Sequence, residues 1–154
     1  MVVIQPTYFP PSARSLPVLA RVLSVPKGVY EVALPKPLGI AFEERELNSG
    51  VLVDYLVEGG NAAASGKIQP GDILILVTAI KVFGPRWERK LLPAIDMPFD
   101  VVMGAIGSNE PRYQVNQAKD VVMQFMRPGV ADEAKVRKLL AVVQFSQCSV
   151  LYRS

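Results

Sequence analysis

The chain has 154 residues, of which 50% are hydrophobic and 20% are charged, so it can form one domain with a normal core plus extensions. Its net charge of +3, from 17 basic and 14 acidic residues, is too small and too evenly mixed to predict a nucleic-acid-binding face. The chain contains one cysteine, Cys148, and no histidine. This composition excludes an internal disulfide, Ser-His or Cys-His catalysis and a His-containing zinc site.

The hydrophobic residues are spread along the chain and do not gather into a membrane span. The longest apolar run, residues 73–80, is far shorter than the about 20 residues that a membrane helix needs, so we expect a chain that does not span a bilayer. The mean hydropathy of +0.25 allows two interpretations. A partner protein covers part of the apolar surface, or the core is simply rich in Val and Leu.

Residues 1–28 contain five prolines, three basic residues and no acidic residue. Prolines remove backbone donors and disfavour helix, so this segment is predicted to be an extended arm. An ordered arm lying across a partner and a flexible leader are both open interpretations. The acid-free composition is also similar to that of an organelle transit peptide, although serines are few.

Four strands are predicted between residues 29 and 80. Alternation of apolar with polar or small residues predicts half-buried strands in residues 30–34, 40–43 and 51–57. The unbroken apolar run 73–77 predicts a fourth strand that is buried on both faces.

The connections between these strands carry turn sequences. Residues 61–65 are predicted to form a short helical turn that Gly66 ends. Pro70-Gly71-Asp72 predicts a tight turn in which the Asp72 side chain caps local backbone. Residues 81–97 contain Gly84-Pro85 and Pro93 and are predicted to be irregular.

Two helices and one strand are predicted in the last third of the chain. Pro98 suits a helix start, and a helix is predicted over residues 99–106, followed by a polar loop over residues 110–120 and a strand over residues 121–126. An amphipathic helix is predicted over residues 130–143, followed by a tail of mixed polarity. Its apolar face comprises Val136, Leu139, Leu140 and Val143.

Three stretches of the chain resemble the PDZ family of peptide-binding domains. Pro37-Leu38-Gly39-Ile40 matches the family's carboxylate-binding loop, in which a Gly stands between two hydrophobic residues. Residues 59–74 match the family's Gly-x-Ala-Ala turn with the Gly-Asp and buried strand that follow it, and residues 99–106 match its second helix. A loop motif alone would be weak, but the Gly-Asp segment at the right distance makes the resemblance specific.

The resemblance implies an α+β fold, a PDZ-like partly open β-barrel or sandwich of five or six strands with two helices. The implied PDZ-like domain covers residues 29–128. The arm in residues 1–28 precedes it, and the C-terminal helix and tail in residues 129–154 follow it.

The resemblance also implies a groove in which a C-terminal or internal peptide segment of a partner protein pairs with the strand that begins at Ile40. The backbone N–H groups of Leu38, Gly39 and Ile40 would receive the terminal carboxylate. A pocket lined by Leu38, Ile40, Met103 and Ile106 would take the last side chain, although these four residues can also be plain core. The implied site comprises Lys36, Leu38, Gly39, Ile40, Phe42, Phe99, Met103 and Ile106.

Two positions of this site, Lys36 and Phe99, bear on which peptide it would bind. Lys36 would attract the carboxylate, or it is an ordinary surface lysine. Phe99 stands where many family members carry a His that binds Ser or Thr of the peptide, so we expect a hydrophobic residue two before the peptide terminus. The resemblance implies no cofactor and no metal.

Several phrases are also similar to plastid PDZ proteins of plants and algae: residues 34–44, 60–63, 98–100 and 122–128. This similarity implies an accessory or assembly subunit of a photosystem, peripheral on the thylakoid membrane. The alternative is a free-standing cytoplasmic adaptor that binds hydrophobic C-terminal peptides. An enzyme fragment is a third hypothesis, but no paired-carboxylate, metal-ligand or phosphate-loop pattern supports it, and we expect no catalysis.

Overall fold

The computed structural model describes residues 25–83, 86–110 and 120–151. Most of the predicted N-terminal arm, most of the predicted polar loop and residues 152–154 lie outside this range. The described elements are β1 (Val29–Leu34), β2 (Ile40–Glu44), β3 (Val51–Leu56), α1 (Asn61–Ser65), β4 (Ile73–Phe83), β5 (Arg86–Pro93), α2 (Phe99–Ser108), β6 (Val121–Met126) and α3 (Glu133–Leu151).

The six strands form one antiparallel sheet in the order β1-β6-β4-β3-β2, with β5 paired to β4. The sheet is not closed, and its two end strands, β1 and β2, are consecutive in the chain. With its helices this is a PDZ-like α+β fold, as the sequence predicts.

Both faces of the sheet are buried. One face forms the main core, where β3, β4 and β6 pack against Ala62 of α1 and against Val102 and Ala105 of α2. The other face forms a second cluster, in which β4 packs against Val136 and Leu140 of α3. Since β4 contributes to both clusters, its residues 73–77 are all buried, which confirms the prediction from their lack of alternation.

The segment predicted to be irregular after residue 80 is instead largely a hairpin. β4 continues to Phe83 and pairs with β5 from Phe83↔Arg86 to Leu76↔Pro93. The prediction was wrong because four of the eight residues of Arg86–Pro93 are charged and the segment lacks clear alternation, so its strand conformation depends on the partner strand and not on local pattern. Pro93 is the last residue of β5, which pairs only with β4 among the described residues, and proline is tolerated on such an edge strand.

The C-terminal helix is also longer than predicted. It begins at Glu133 because Asp132 caps it, its Oδ1 accepting the N–H groups of Ala134 at 3.1 Å and Lys135 at 3.4 Å. It continues to Leu151, since no Gly or Pro follows Gly129 to end it. Of the predicted apolar face, Val136 and Leu140 are buried and Leu139 is half-buried. The side chain of Val143 lies outside the described part of the chain.

Within the described residues, no helix has the length and apolar composition needed to cross a bilayer.

Candidate functional site

Strand β2 offers an open edge. Among the described residues it pairs only with β3, and its other edge has no strand beside it. An unpaired edge presents free N–H and C=O groups, which an extended peptide can use as a template.

The loop of residues 35–39, which leads into β2, is tied to α1 through its carbonyl oxygens. The Asn61 side chain donates from Nδ2 to Pro35 O at 3.1 Å and to Pro37 O at 2.8 Å. The backbone N–H of Ala62 donates to Leu38 O at 2.9 Å. Three carbonyls of this loop are therefore held by the first two residues of one short helix.

Gly39 completes the attachment of the loop. Its carbonyl oxygen accepts the Val57 N–H at 2.9 Å. Its φ is +73°, and a Cβ at this position would lie 3.0 Å from Gly60 Cα. Glycine is thus required twice, by the left-handed backbone and by the close approach to the segment before α1.

The directions of these carbonyls determine where the neighbouring N–H groups point. In a trans peptide the C=O of one residue and the N–H of the next point to opposite sides. Since the carbonyls of Pro37, Leu38 and Gly39 turn toward α1 and toward Val57 just after β3, the N–H groups of Leu38, Gly39 and Ile40 turn away from them. Among the described residues, the N–H groups of Leu38 and Gly39 have no protein acceptor. The loop therefore presents adjacent, unused donors of the kind that bind an anion.

Lys36 connects this loop to the helix that forms the opposite wall. Its Nζ donates to Gly107 O at 3.0 Å, at the C-terminal end of α2, where a cation is favoured by the helix dipole. The Lys36 side chain is exposed, so its positive charge remains beside the loop.

Helix α2 forms the second wall of the groove. It packs chiefly against β4, and its end is fixed there because Ser108 Oγ accepts the Ile80 N–H at 2.9 Å. Phe99, Met103 and Ile106 share one helix face by their spacing of four and three. Phe99 is 36% exposed, while Met103 and Ile106 are half-buried against the main core.

The groove has a direction. The loop lies at the C-terminal end of α2, as the contact between Lys36 and Gly107 shows, and β2 starts directly after the loop. Ile40 and Ile106 therefore lie at the loop end, and Phe99 lies at the far end. Ile40 and Phe42 of β2 are half-buried against the same core as Met103 and Ile106, and Leu38 is buried in it.

The structure thus places Leu38, Ile40, Phe42, Met103 and Ile106 in one apolar cluster and joins Lys36 to the end of α2, while Phe99 lies at the other end of that helix. Their use by a peptide stays a prediction. Sequence analysis missed Asn61, the residue that orients the loop. Its position directly after Gly59-Gly60, at the start of a helix, is the only signal that could have indicated it.

A buried carboxylate supports the fold behind the site. Asp72 is 1% exposed and accepts hydrogen bonds from the Gln69 N–H at 2.8 Å, from Tyr30 Oη, and from Arg127 Nε and Nη2 at 3.0 Å each. The bond from Gln69 confirms the predicted capping role. Burial, and then the bond to Asp72, raise the pKa of the Tyr30 phenol. All four donors are used in holding chain segments together, which indicates a structural role.

Comparison with known proteins gives two partial similarities. No protein-family model matches the chain. A stretch of 64 residues is 41% identical to the Multiple PDZ domain protein of Mus musculus, covering 40% of this chain and 3% of that protein. A stretch of 95 residues is 34% identical to the Multiple PDZ domain protein of Rattus norvegicus, covering 60% of this chain and 5% of that protein. The chain thus spans only a small fraction of these relatives, and the fold together with this similarity supports the PDZ domain family and a role in protein interaction.

Proposed function

We propose that this chain binds the C-terminal segment of a partner protein as an added strand beside β2, with the terminal carboxylate on the loop of residues 35–39. One observation carries the proposal. The carbonyls of Pro35, Pro37, Leu38 and Gly39 are engaged by α1 and by Val57. Among the described residues this leaves the consecutive N–H groups of Leu38 and Gly39 without an acceptor, at the start of a strand with one open edge. Preformed donors of this kind bind a carboxylate without further reorganisation.

The walls of the groove favour an apolar ligand. The last side chain of the peptide would lie between Ile40 and Ile106, next to Met103 and above the buried Leu38. A side chain two residues earlier would reach toward Phe99, which is apolar and 36% exposed. The proposed ligand is therefore a free C-terminus with a hydrophobic last residue and a second hydrophobic residue two before it.

Fluorescence anisotropy with labelled decapeptides tests this proposal. Peptides ending in Val, Leu, Ile or Phe are titrated in two forms, with a free carboxylate and with a terminal amide. Hydrogen bonds to charged groups contribute about 1.5–3 kcal/mol, so the amide should bind at least about tenfold more weakly. Equal affinity of the two forms would contradict a carboxylate site.

The variant Gly39→Asp has a matched control in this chain. Gly59 has the same φ of +73°, and nothing lies within 4 Å of an added Cβ there. Gly59→Asp therefore introduces the same charge and a similar backbone strain without touching the loop. Peptide binding should be lost in Gly39→Asp and retained in Gly59→Asp, and equal losses in both would argue against the loop as the site.

A narrower proposal concerns the setting of this binding. The phrases in residues 34–44 and 122–128 that are similar to plastid proteins support an accessory subunit of a photosystem at the thylakoid membrane. The relatives above are mammalian proteins, and their names do not refer to photosynthesis. Pull-down from solubilised thylakoids with wild type and Gly39→Asp tests the idea. Photosystem subunits recovered with wild type would support it, and their absence would leave a peptide-binding adaptor of another compartment.

A further inference from the structure

Four charged side chains meet beside the first turns of α3. Arg137 Nη1 lies 2.7 and 2.6 Å from the two carboxylate oxygens of Asp96. Arg137 Nε and Nη2 donate to Glu133 Oε1 at 3.2 and 2.9 Å. The same oxygen lies 3.5 Å from Arg45 Nη1. We refer to Arg45, Asp96, Glu133 and Arg137 as the clamp.

The clamp joins the two walls of the groove to a third element. Arg45 follows Glu44, the last residue of β2, and Asp96 lies three residues before Phe99, the first residue of α2. Glu133 and Arg137 both belong to α3. Because the loop of residues 35–39 lies at the other end of the groove, the clamp lies where β2 ends and α2 begins.

The element that carries the clamp is itself anchored. Val136 is 2% exposed and Leu140 is 6% exposed, both in the second apolar cluster beneath the sheet. Helix α3 therefore has a defined position relative to β4, and its charged side chains reach the groove walls from a fixed base. One main-chain hydrogen bond, from the Gly50 N–H to Met97 O at 3.2 Å, also links the turn after β2 directly to the segment before α2.

Only Arg45 of the clamp is largely buried, with 23% of its side chain exposed, whereas 37% of Glu133, 42% of Arg137 and 60% of Asp96 are exposed. Arg45 Nη1 is buried and has no hydrogen-bond partner among the described residues, so the Glu133 carboxylate at 3.5 Å is the negative charge it faces. Burial opposes ionisation of Glu133, but the hydrogen bonds from Arg137 and the positive charges of Arg137 and Arg45 outweigh it and lower the pKa of this carboxyl. Isolated exposed ion pairs contribute little, whereas a bidentate arginine in a network fixes geometry.

From this arrangement we propose that Glu133 and Arg137 are positioning residues that fix the separation of β2 and α2, and so set the groove for its ligand. The proposal rests on the peptide-binding function above. Helix α3 does not line the groove. By fixing the separation of β2 and α2, it sets the fraction of molecules in which a peptide strand fits between them.

The separation of the walls can be measured without any ligand. Nitroxide labels are attached to cysteines introduced by Glu43→Cys on β2 and Asp100→Cys on α2, both of which are exposed, after Cys148→Ser removes the natural thiol. Pulsed electron double resonance then gives the distribution of distances between the labels. The clamp is opened by Glu133→Gln, and Glu46→Gln is the matched control because it makes the same change at an exposed residue of the turn after β2.

Asp96→Asn opens the clamp from the side of α2. Because Glu133 is the first residue of α3, Glu133→Gln also changes the charge at the start of that helix, whereas Asp96→Asn does not. We expect Glu133→Gln and Asp96→Asn to broaden or shift the distance distribution and Glu46→Gln to leave it unchanged. With labelled decapeptides and proteins free of spin label, the two clamp variants should bind about three- to tenfold more weakly, because the binding-competent width is populated less often.

The outcomes distinguish this proposal from the proposed function. If neither clamp variant broadens or shifts the distribution relative to wild type, the positioning role is overturned, whatever the peptide results are. A broadened or shifted distribution supports the role even if no peptide binds to wild type, in which case only the peptide-binding proposal fails. Far-ultraviolet circular dichroism confirms that each variant is folded before its distances are compared.

Discussion

The side chain of Asn61 holds the loop of residues 35–39, the proposed carboxylate site, and its replacement by alanine tests how this site is built. The change removes the donor to Pro35 O and Pro37 O. Each hydrogen bond contributes about 0.5–1.5 kcal/mol. Since both bonds are exposed to water, we take the lower part of this range and expect a loss of about 1–2 kcal/mol in the ordering of the loop.

This loss converts directly into affinity if the peptide has to reorder the loop. A loop that is ordered for a smaller fraction of the time lowers the apparent affinity by that fraction, so Asn61→Ala should bind a free-carboxylate peptide about 5- to 30-fold more weakly. Isothermal titration calorimetry measures this change. Urea unfolding of the same variant should show a loss of no more than about 2 kcal/mol, since only the two bonds are removed.

Asn61→Asp shows how much a negative charge beside the loop lowers the affinity, in addition to the loss of the donor. Aspartate has nearly the same shape but cannot donate, and its negative charge repels the peptide carboxylate. Its affinity should be lower than that of Asn61→Ala at low salt, and the difference should shrink at high ionic strength. A folded Asn61→Ala that binds within about twofold of wild type would refute the role of Asn61 in ordering the loop.

Three further predictions concern the support of the site. Arg127→Met should destabilise the fold in urea by about 2–3 kcal/mol, because it leaves the buried Asp72 without its counter-charge. This is below the about 3–5 kcal/mol of a fully buried pair, since the Arg127 side chain is 32% exposed. A loss under about 1 kcal/mol would contradict a stabilising pair between Arg127 and Asp72. The folded state should lose stability as the pH rises above 10, because burial raises the pKa of Tyr30 and only the unfolded state then releases the proton. Tyr30→Phe should flatten the fall of the urea midpoint between about pH 9 and pH 11, and an unchanged slope would exclude Tyr30 as its source. Leu140→Ala should cost about 2–4 kcal/mol in the same unfolding assay, and a cost under about 0.5 kcal/mol would show that α3 does not pack on the sheet.

Local pattern determined most of the elements around the groove. The alternation in β1, β2 and β3, the Gly-ended turn at α1 and the proline before α2 each act within a few residues, and the structure confirms the elements they predict. The unbroken run at the start of β4 predicted burial on both faces, because a strand between two covered faces has no polar side. These same segments carry the PDZ signature, so fold and candidate groove could be predicted together.

The tertiary structure alone decided how these elements are held. Strand β5 exists because Arg86–Pro93 finds a partner in β4, and its own residues give no period that would indicate a strand. Asn61 donates to loop carbonyls 26 and 24 residues away, and Arg45 pairs with Glu133, which is also distant in the chain. A sequence pattern reports the environment of a residue and its close neighbours. Hydrogen bonds and ion pairs between distant segments depend on where the whole fold places two side chains, and this information is absent from local periodicity.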